Sequence, residues 1–352
     1  MRSPANRPPA DLRSDNVSGI APEILVAIAA ANEGPAAAYG ADGVTGRLQE
    51  LFSDLFETEC FVHPAATGTA TNALSLSLIS PPYGAVYCSE VAHIHDSECG
   101  AGEFFTGGAK IVPLPAPDGR LDPGAFVQAL RSAGVGRTSC VQPAALSLTE
   151  ATERGTLYSA GQLHELIGIA KEHGLRVHMD GARFANAVAA LGCRPAAVTW
   201  EAGVDVLSFG ATKNGAMAAE AVVVFDPALV EPLRYRARRA GQVFSKMRFV
   251  SAQLEAYLED GLWLRLAGRA NAMARRLADG LGEIAGVELL HPVEINEVFA
   301  RLPWPMIEGL LDEGFGLYDR GGGTVRLVTC FATTPEEVDD LLAAARRLAD
   351  SA

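Results

Sequence analysis

Hydrophobic and polar positions alternate along the chain in two rhythms, one typical of helices and one typical of strands. Apolar residues recur with helical spacing over residues 21–32, 45–56 and 159–174. Short apolar runs typical of buried strands occupy residues 84–89, 109–115, 140–146, 175–180, 204–209 and 220–226. This alternation predicts an α/β fold in which a mostly parallel sheet is covered by helices on both faces.

The pattern changes near residue 250. Helical spacing dominates residues 251–281, short strand-like runs follow, and residues 335–350 form an amphipathic helical pattern at the end. We therefore expect three parts: an N-terminal arm (1–20), a large domain (21–250) and a smaller C-terminal α+β domain (251–352).

Composition and charge exclude some partners. The 352 residues are 49% hydrophobic and 20% charged, which is ordinary for a globular protein. A net charge of −13 argues against a nucleic-acid partner. The one basic run, RYRARR (residues 234–239), is better interpreted as a helix face or a site for small anions. The apolar stretches are too short to cross a bilayer, and the six cysteines form no CxxC pair, so we expect a cytoplasmic protein with reduced thiols and no membrane contact.

A lysine follows the predicted strand at residues 204–209, in the sequence SFGATKNG (residues 208–215). Only four of the 29 basic residues are lysines, so lysine is not the usual surface cation of this chain. Arginine cannot replace lysine where a deprotonated, nucleophilic amine is required. Since function gathers at the carboxyl ends of strands in α/β sheets, Lys213 is a candidate catalytic amine.

Two other groups complement this lysine. Asp180 ends the predicted strand at residues 175–180, and the small-residue turn at residues 67–69 opens a helix. The free N–H groups and threonine hydroxyls of this turn suit a phosphate, although a threonine at the start of a helix is also an ordinary helix cap. Pyridoxal phosphate chemistry requires an amine, a carboxylate against the pyridine nitrogen and a phosphate site. A structural salt bridge of Asp180 is the alternative, but the conjunction with Lys213 favours the cofactor.

A further polar cluster, His93, His95 and Asp96, follows the predicted strand at residues 84–89. Histidines two apart on a strand share a face and could bind a metal with the aspartate. No third histidine has a suitable spacing, so we predict no metal. A polar loop is one alternative, and an imidazole lying flat against an aromatic ring is the preferred one.

Seven motifs occur in order over nearly the whole chain. They are LRSDN (12–16), YGAD (39–42), TGTATN (67–72), EVAH (90–93), RVHMDGARFANA (176–187), SFGATKNG (208–215) and VRLVT (325–329). Together they resemble the low-specificity L-threonine aldolases, which belong to the aspartate-aminotransferase-like superfamily. The resemblance implies fold type I of the pyridoxal-phosphate (PLP) enzymes, with pyridoxal 5'-phosphate as the cofactor.

The resemblance also implies roles for the matching cofactor residues. Lys213 would form the Schiff base, Asp180 would bind the pyridine nitrogen, and His93 would stack on the ring and exchange protons. Three residues of the small-residue turn would hold the phosphate: Thr67, Gly68 and Thr69.

Substrate contacts follow from the same resemblance. Ser14, Arg183 and Arg326 would surround the substrate carboxylate, with Arg183 also near the phenolic oxygen of the cofactor. The family builds its sites at subunit interfaces, so a homo-oligomer, either a dimer or a tetramer, is implied. Three residues would reach the neighbouring subunit's site: Tyr39, Lys246 and Arg248.

The implied reaction splits L-threonine, L-allo-threonine and related β-hydroxy-α-amino acids into glycine and an aldehyde. Several relatives have a histidine after the strand that corresponds to residues 145–155, where this chain has no histidine and Glu153 is the nearest candidate. Some relatives also have a histidine where this chain has Cys330. The base that acts on the β-hydroxyl is therefore open between Glu153, His93 and a cofactor-activated water. A β-eliminating lyase or an aminotransferase is the alternative function, and a non-catalytic binding scaffold is a remote one.

Overall fold

Seven strands form one sheet in the computed structural model, which describes residues 9–350. They are β1 (Phe61–Ala65), β2 (Gly84–Ser89), β3 (Lys110–Leu114), β4 (Gln142–Thr149), β5 (Arg176–Gly181), β6 (Val206–Gly210) and β7 (Glu220–Val224). Their order is β1-β7-β6-β5-β4-β2-β3, and within this sheet only β7 runs antiparallel to its neighbours. The predicted mostly parallel sheet is confirmed.

Thirteen α-helices surround the strands between residues 9 and 350. They are α1 (Pro22–Ala30), α2 (Gly43–Phe56), α3 (Gly68–Ile79), α4 (His93–Asp96), α5 (Ala101–Thr106), α6 (Pro123–Ser132), α7 (Ala160–Glu172), α8 (Phe184–Leu191), α9 (Val230–Arg239), α10 (Arg248–Leu258), α11 (Leu262–Gly282), α12 (Trp304–Asp312) and α13 (Pro335–Asp350). Side chains cap several first turns. Asp42 accepts a hydrogen bond from the Thr45 N–H at 2.8 Å in α2, and Ser159 and Gln162 form a capping box on α7.

Helices cover both faces of the large sheet. Neighbouring residues along a strand point to opposite faces, and in β6 they enter different hydrophobic cores. Val206 packs into the core that contains Leu74 of α3, whereas Leu207 packs into the core that contains Phe52 of α2. The strands are therefore apolar on both sides, which explains their continuous hydrophobic runs.

The edge strand β1 has no clear strand signal in the sequence FVHPA. Pro64 lies within it, and proline lacks the N–H group that a central strand would need. Because β1 forms the edge of the sheet, this proline is tolerated there.

A second sheet lies in the C-terminal part of the chain. Its strands are β8 (Glu288–Leu289), β9 (Glu297–Arg301), β10 (Tyr318–Asp319) and β11 (Thr324–Val328), in the antiparallel order β10-β11-β9-β8. Helices α11, α12 and α13 cover it with a separate core that also receives Ala10 and Leu12 from the chain's start. Gly280 of α11 lies so close to α13 that a Cβ would overlap the Leu342 side chain. The exact domain limits at residues 20 and 250 stay a prediction, and residues 1–8 and 351–352 of those parts lie outside the described residues.

The helical pattern over residues 251–281 is divided into α10 and α11. Asp260 and Gly261 interrupt it with φ angles of 50° and 67°, which a continuous helix does not allow. The core around Phe52 extends as far as Ala267, so the first half of α11 packs with the large sheet.

The carboxyl ends of three neighbouring parallel strands meet at one edge of the large sheet. Thr149 of β4 lies beside Asp180 of β5, which lies beside Ser208 of β6. The N-terminus of α3 lies at the same edge. Its first residues line one cavity together with Thr149, Asp180 and Ser208. Function is expected at such an edge in open α/β sheets.

Candidate active site

Lys213 is the middle residue of a single 3₁₀ turn that follows β6. Gly210 at the end of β6 permits this turn, because a Cβ there would lie 2.6 Å from the Ala182 carbonyl oxygen. Next to the lysine, Asn214 Nδ2 donates to Tyr257 Oη at 2.7 Å and to a backbone carbonyl of α11 at 2.8 Å. These contacts fix the turn, and Lys213 lines a cavity of about 290 Å³.

The first turn of α3 borders the same cavity. Thr67 caps the helix by accepting a hydrogen bond from the Ala70 N–H at 3.2 Å. Within residues 9–350, the N–H groups of Gly68 and Thr69 have no hydrogen-bond acceptor. A Cβ built on Gly68 would meet no protein atom within 4 Å, so the protein's own packing does not require glycine there. Both observations suit a bound anion, because helix N-termini carry partial positive charge.

A chain of hydrogen bonds joins the predicted pyridine partner to the predicted stacking residue. Asp180 Oδ2 accepts from Asn72 Nδ2 at 2.7 Å, and the same amide donates to Glu98 Oε1 at 2.8 Å. Glu98 Oε1 also accepts from His93 Nδ1 at 2.7 Å. The Glu98 side chain is fully buried, and its hydrogen bond raises the pKa of His93. Asp180 and His93 are thus held in place through a shared, buried pair of side chains.

Helix α4 carries His93, so the geometry expected for a strand is wrong. Successive residues of a helix point in different directions. His93 lines the cavity, His95 is exposed and lines no part of it, and the exposed Asp96 borders only a second, adjoining cavity. The three side chains therefore do not share the face that the strand interpretation required.

Glu153 contacts the backbone of His93, whereas Glu98 contacts its ring. Its Oε1 accepts from the His93 backbone N–H at 2.9 Å and from Thr149 Oγ1 at 2.8 Å. Its Oε2 is buried without a hydrogen-bond partner among the described residues. Burial, reinforced by the nearby Asp180 carboxylate, raises the pKa of Glu153 to about 7. A carboxylate with this pKa and a free acceptor oxygen can exchange a proton near neutral pH.

Arg183 follows β5 and is held by two buried carboxylates. Its Nε donates to Asp15 Oδ2 at 2.8 Å, its Nη2 donates to Asp15 Oδ1 at 3.2 Å, and its Nη1 lies 3.3 Å from Glu297 Oε2. Although burial opposes it, Arg183 lowers the pKa of Asp15, whereas burial raises the pKa of Glu297. The guanidinium is therefore oriented before any ligand binds.

Ser14 and Arg326 lie with Arg183 in an adjoining cavity of about 320 Å³. Lys213, His93 and Glu153 line both cavities, so the two spaces meet at the lysine. Arg326 Nη1 is 3.9 Å from Glu297, and its Nε is buried without a partner among the described residues. The cationic groups and the lysine could thus face opposite ends of one small ligand.

The three residues expected to act on a neighbouring subunit line neither cavity. Tyr39 and Lys246 are exposed, and the Tyr39 N–H donates to the Ser245 carbonyl at 3.1 Å. Arg248 Nη1 donates to the Gly34 carbonyl at 3.1 Å. Tyr39 and Lys246 thus face outward, whereas Arg248 is half-buried; we call these three residues the Tyr39 face.

Five residues of the site have no assigned role in the sequence-based prediction. Asn72 lies one turn after Gly68 in the TGTATN motif, and Asp15 lies inside LRSDN, so both had a local signal. The other three are glutamates that lie outside all seven motifs, so no local sequence signal marks them: Glu98, Glu220 and Glu297.

The donor set fits pyridoxal 5'-phosphate. An amine, a carboxylate held at both oxygens and two N–H groups without acceptors all border one cavity. These are the Lys213, Asp180, Gly68 and Thr69 groups, and they match the aldehyde, pyridine nitrogen and phosphate of the cofactor.

Comparisons with known proteins agree with this chemistry. The β-eliminating lyase family model matches residues 11–303. The low specificity L-threonine aldolase of Pseudomonas sp. is 44% identical over 94% of this chain and 95% of its own length. That of Pseudomonas aeruginosa is 44% identical over 93% of this chain and 94% of its own length.

Solved structures show the same fold. A threonine aldolase from Leishmania major has a TM-score of 0.90 at 31% identity, covering 97% of this chain and 100% of its own. A Sphingomonas wittichii serine palmitoyltransferase has a TM-score of 0.73 at 16% identity, covering 97% and 87%, and shares the fold alone. The PLP fold type I implied by the sequence is confirmed. With this identity over nearly its full length, the chain belongs to the low-specificity L-threonine aldolase family, within the wider group described by the β-eliminating lyase model.

Proposed function

We propose that this chain is a PLP-dependent aldolase that cleaves L-threonine, L-allo-threonine and related β-hydroxy-α-amino acids to glycine and an aldehyde. The observation that carries the proposal is that Lys213 lines the same cavity as a buried carboxylate, Glu153, whose Oε2 has no hydrogen-bond partner among the described residues. The bound cofactor supplies an electron sink for the charge left on Cα when the Cα–Cβ bond breaks. Family membership and the two Pseudomonas relatives support this reaction.

Three residues would hold the ring of the cofactor. Lys213 would supply the amine that attaches it, and Asp180 would hold its pyridine nitrogen. Asn72 keeps the Asp180 carboxylate oriented through the 2.7 Å hydrogen bond. His93, fixed by Glu98, would stack on the ring. The phosphate would bind at Thr67, Gly68 and Thr69.

The substrate carboxylate would bind in the adjoining cavity. Arg326 is suited to this task, because its buried Nε has no partner among residues 9–350. Ser14 and Arg183 would complete the pocket, with Arg183 held rigidly by Asp15 and Glu297. A guanidinium binds a carboxylate through two parallel hydrogen bonds, which also orients the Cα–Cβ bond.

Glu153 would remove the proton from the substrate β-hydroxyl. Its Oε1 is occupied by two donors, so the Oε2 atom is the acceptor. Its pKa of about 7 allows it to take the proton and later release it near neutral pH.

We also propose a cytoplasmic homo-oligomer, a dimer or a tetramer, in which the Tyr39 face contributes Tyr39, Lys246 and Arg248 to a neighbouring site. All six cysteines are free thiols, which suits a reducing compartment. No helix in the described part of the chain is long and apolar enough to cross a membrane. Mixing Lys213→Ala subunits with Tyr39→Ala subunits tests the shared site, because a hybrid interface would regain activity and separate sites would not.

Product analysis tests the reaction. The purified protein is incubated with L-threonine, L-allo-threonine, L-phenylserine and their D-enantiomers, and glycine, aldehyde, ammonia and keto acid are quantified. Equal amounts of glycine and aldehyde are expected from the L-substrates. Ammonia and keto acid would instead identify a β-eliminating lyase. Lys213→Ala should abolish both the yellow colour and the activity, and full activity in this variant would contradict the proposal.

A further inference from the structure

A third buried carboxylate, Glu220, lines the same cavity as the turn at residues 67–69. It is the first residue of β7 and pairs with Gly210 of β6 on one side and with Ala65 of β1 on the other. β6 leads into the lysine turn, and β1 leads into the turn at residues 67–69. Glu220 therefore lies between the segment that carries Lys213 and the segment that carries the anion-binding N–H groups.

The side chain of Glu220 points toward α3. Residues two apart on a strand share a face, and Val222 packs with Leu74 of α3 on that face. Glu220 lies opposite Ala65 of β1, two residues nearer to the start of α3 than His63, which lies opposite Val222. It lines the same cavity as Thr67, Gly68 and Thr69. Its exposed fraction is 7%, so water does not solvate its charge fully.

The described partners of Glu220 do not neutralise it. Its Oε2 accepts from the Ala211 N–H at 3.0 Å, and no salt bridge to Glu220 is present within residues 9–350. Three ionisable groups of the described residues interact with its charge: Lys213 after β6, Asp180 on β5 and Tyr257 on α10. On the neighbouring strand β1, His63 lies opposite Val222, two residues along from Glu220.

These neighbours have opposing effects. Burial, reinforced by Asp180, raises the pKa of Glu220 to about 7, although the Thr212 and Ala211 hydrogen bonds and Lys213 act in the opposite direction. Burial lowers the pKa of His63, so this imidazole adds no positive charge at neutral pH. Burial, with a smaller contribution from Glu220, raises the pKa of Tyr257, so the phenol stays neutral.

A phosphate monoester at residues 67–69 would carry close to two negative charges at neutral pH. An ionised carboxylate in the same low-dielectric cavity would repel it. A protonated carboxyl would instead donate a short, charge-assisted hydrogen bond to a phosphate oxygen. The position of Glu220 therefore favours the neutral acid whenever the phosphate is bound.

We propose that Glu220 is a phosphate-binding residue that acts as a neutral carboxylic acid, so that cofactor binding takes up one proton at this side chain. The proposal rests on the cofactor of the proposed function. It adds a residue to the phosphate site and makes cofactor affinity dependent on pH.

The sign of the pH dependence follows from linkage. The bound state holds one proton more than the free state wherever Glu220 is ionised in the free protein. Below pH 7 the free carboxyl is mostly protonated, so the affinity hardly changes. Above this pH, the affinity should fall by about tenfold per pH unit until the bound carboxyl also ionises.

The test uses cofactor-free full-length protein and 4'-deoxypyridoxine 5'-phosphate, which lacks the aldehyde and so binds without reacting with Lys213. Its affinity is measured by calorimetry from pH 7 to pH 9, in buffers of different ionisation enthalpy. Wild type should take up about one proton more than Glu220→Gln at pH 8. The affinity ratio of wild type to Glu220→Gln should fall by about tenfold per pH unit above 7. Gln keeps an acceptor for the Ala211 N–H, and thermal melting checks that the variant is folded.

Two controls separate this effect from others. Glu150→Gln changes another buried glutamate with a raised pKa that lines neither cavity, and it should behave as wild type. The second control is 4'-deoxypyridoxine without phosphate, for which wild type and Glu220→Gln should take up equal numbers of protons. The wild-type comparison of the two ligands tests the proposal even if the variant does not fold. Equal pH slopes and equal proton uptake with the phosphorylated ligand would overturn this proposal alone, whereas no binding at any pH would overturn the cofactor assignment as well.

Discussion

The imidazole of His93 and the carboxylate of Glu98 are joined by a hydrogen bond of 2.7 Å in which Nδ1 donates to Oε1. The Glu98 side chain is fully buried and also accepts from Asn72, which in turn donates to Asp180. One carboxylate therefore orients a histidine on one side and an amide on the other. Because the bond favours the imidazolium form, it raises the pKa of His93.

Replacing Glu98 with glutamine should lower the pKa of His93 and loosen its orientation. A hydrogen bond to a charged group contributes about 1.5–3 kcal/mol, so we expect kcat/KM to fall by about tenfold to a hundredfold. The His93 titration is followed by NMR alongside the pH profile of kcat/KM. A loss of activity with an unchanged His93 pKa would show that Glu98 acts only on Asn72. Glu172→Gln, the same change at an exposed glutamate that lines neither cavity, is the matched control.

The pH profile of kcat should report Glu153. A base must be ionised, so activity should rise as pH increases through about 7, the pKa of this buried carboxyl. Glu153→Gln should lower kcat by about 10²–10⁴ and abolish this rise of kcat with pH (the acidic limb of the profile), while cofactor binding is retained. Thr149→Val removes one hydrogen bond to Oε1 and should move the limb to higher pH with a smaller loss of kcat. An unchanged limb in Glu153→Gln would assign the base to His93 or water.

The main site residues could be predicted because they follow from local patterns. Strands buried on both faces have continuous apolar runs, so their ends were visible, and Asp180 and Lys213 stand at those ends. The Asp-Gly pair that separates α10 from α11 is also a local turn signal, although helical spacing continues on both sides of it.

The supporting carboxylates could not be predicted in the same way. Glu98 and Glu297 reach the site only through tertiary packing, from a short segment after α4 and from the second sheet. Their role depends on burial, and burial of a single glutamate leaves no periodic pattern in the sequence. Glu220 is similar, since its importance comes from the register of β7 with β6 and β1.

The buried pair of Asp15 and Arg183 should contribute strongly to stability. Removing one partner of such a pair costs about 3–5 kcal/mol, so Asp15→Asn should lower the free energy of unfolding by that amount. Asp15 has a lowered pKa in the folded state, so its contribution is present above the unfolded pKa of about 3.9 and is lost as pH falls through the folded value. Denaturant titration at pH 7 and at lower pH measures this. The exposed Asp11 and Arg13 bridge nearby is the control, since Asp11→Asn should cost less than about 1 kcal/mol. Equal effects of the two variants would contradict the prediction.

Two glycines of the site should respond to alanine in opposite ways. A Cβ at Gly210 would lie 2.6 Å from the Ala182 carbonyl oxygen, so Gly210→Ala should lower the free energy of unfolding by about 1–3 kcal/mol and displace the Lys213 turn. A Cβ at Gly68 would meet no protein atom within 4 Å, and its φ is not positive, so Gly68→Ala should leave stability nearly unchanged. The added methyl group would instead occupy space beside the free N–H groups and weaken binding of the phosphorylated cofactor. Denaturant unfolding of the cofactor-free variants, followed by cofactor titration, separates the two effects. If Gly68→Ala unfolded more readily yet bound the cofactor as wild type does, this glycine would serve the fold and the phosphate would have to bind elsewhere.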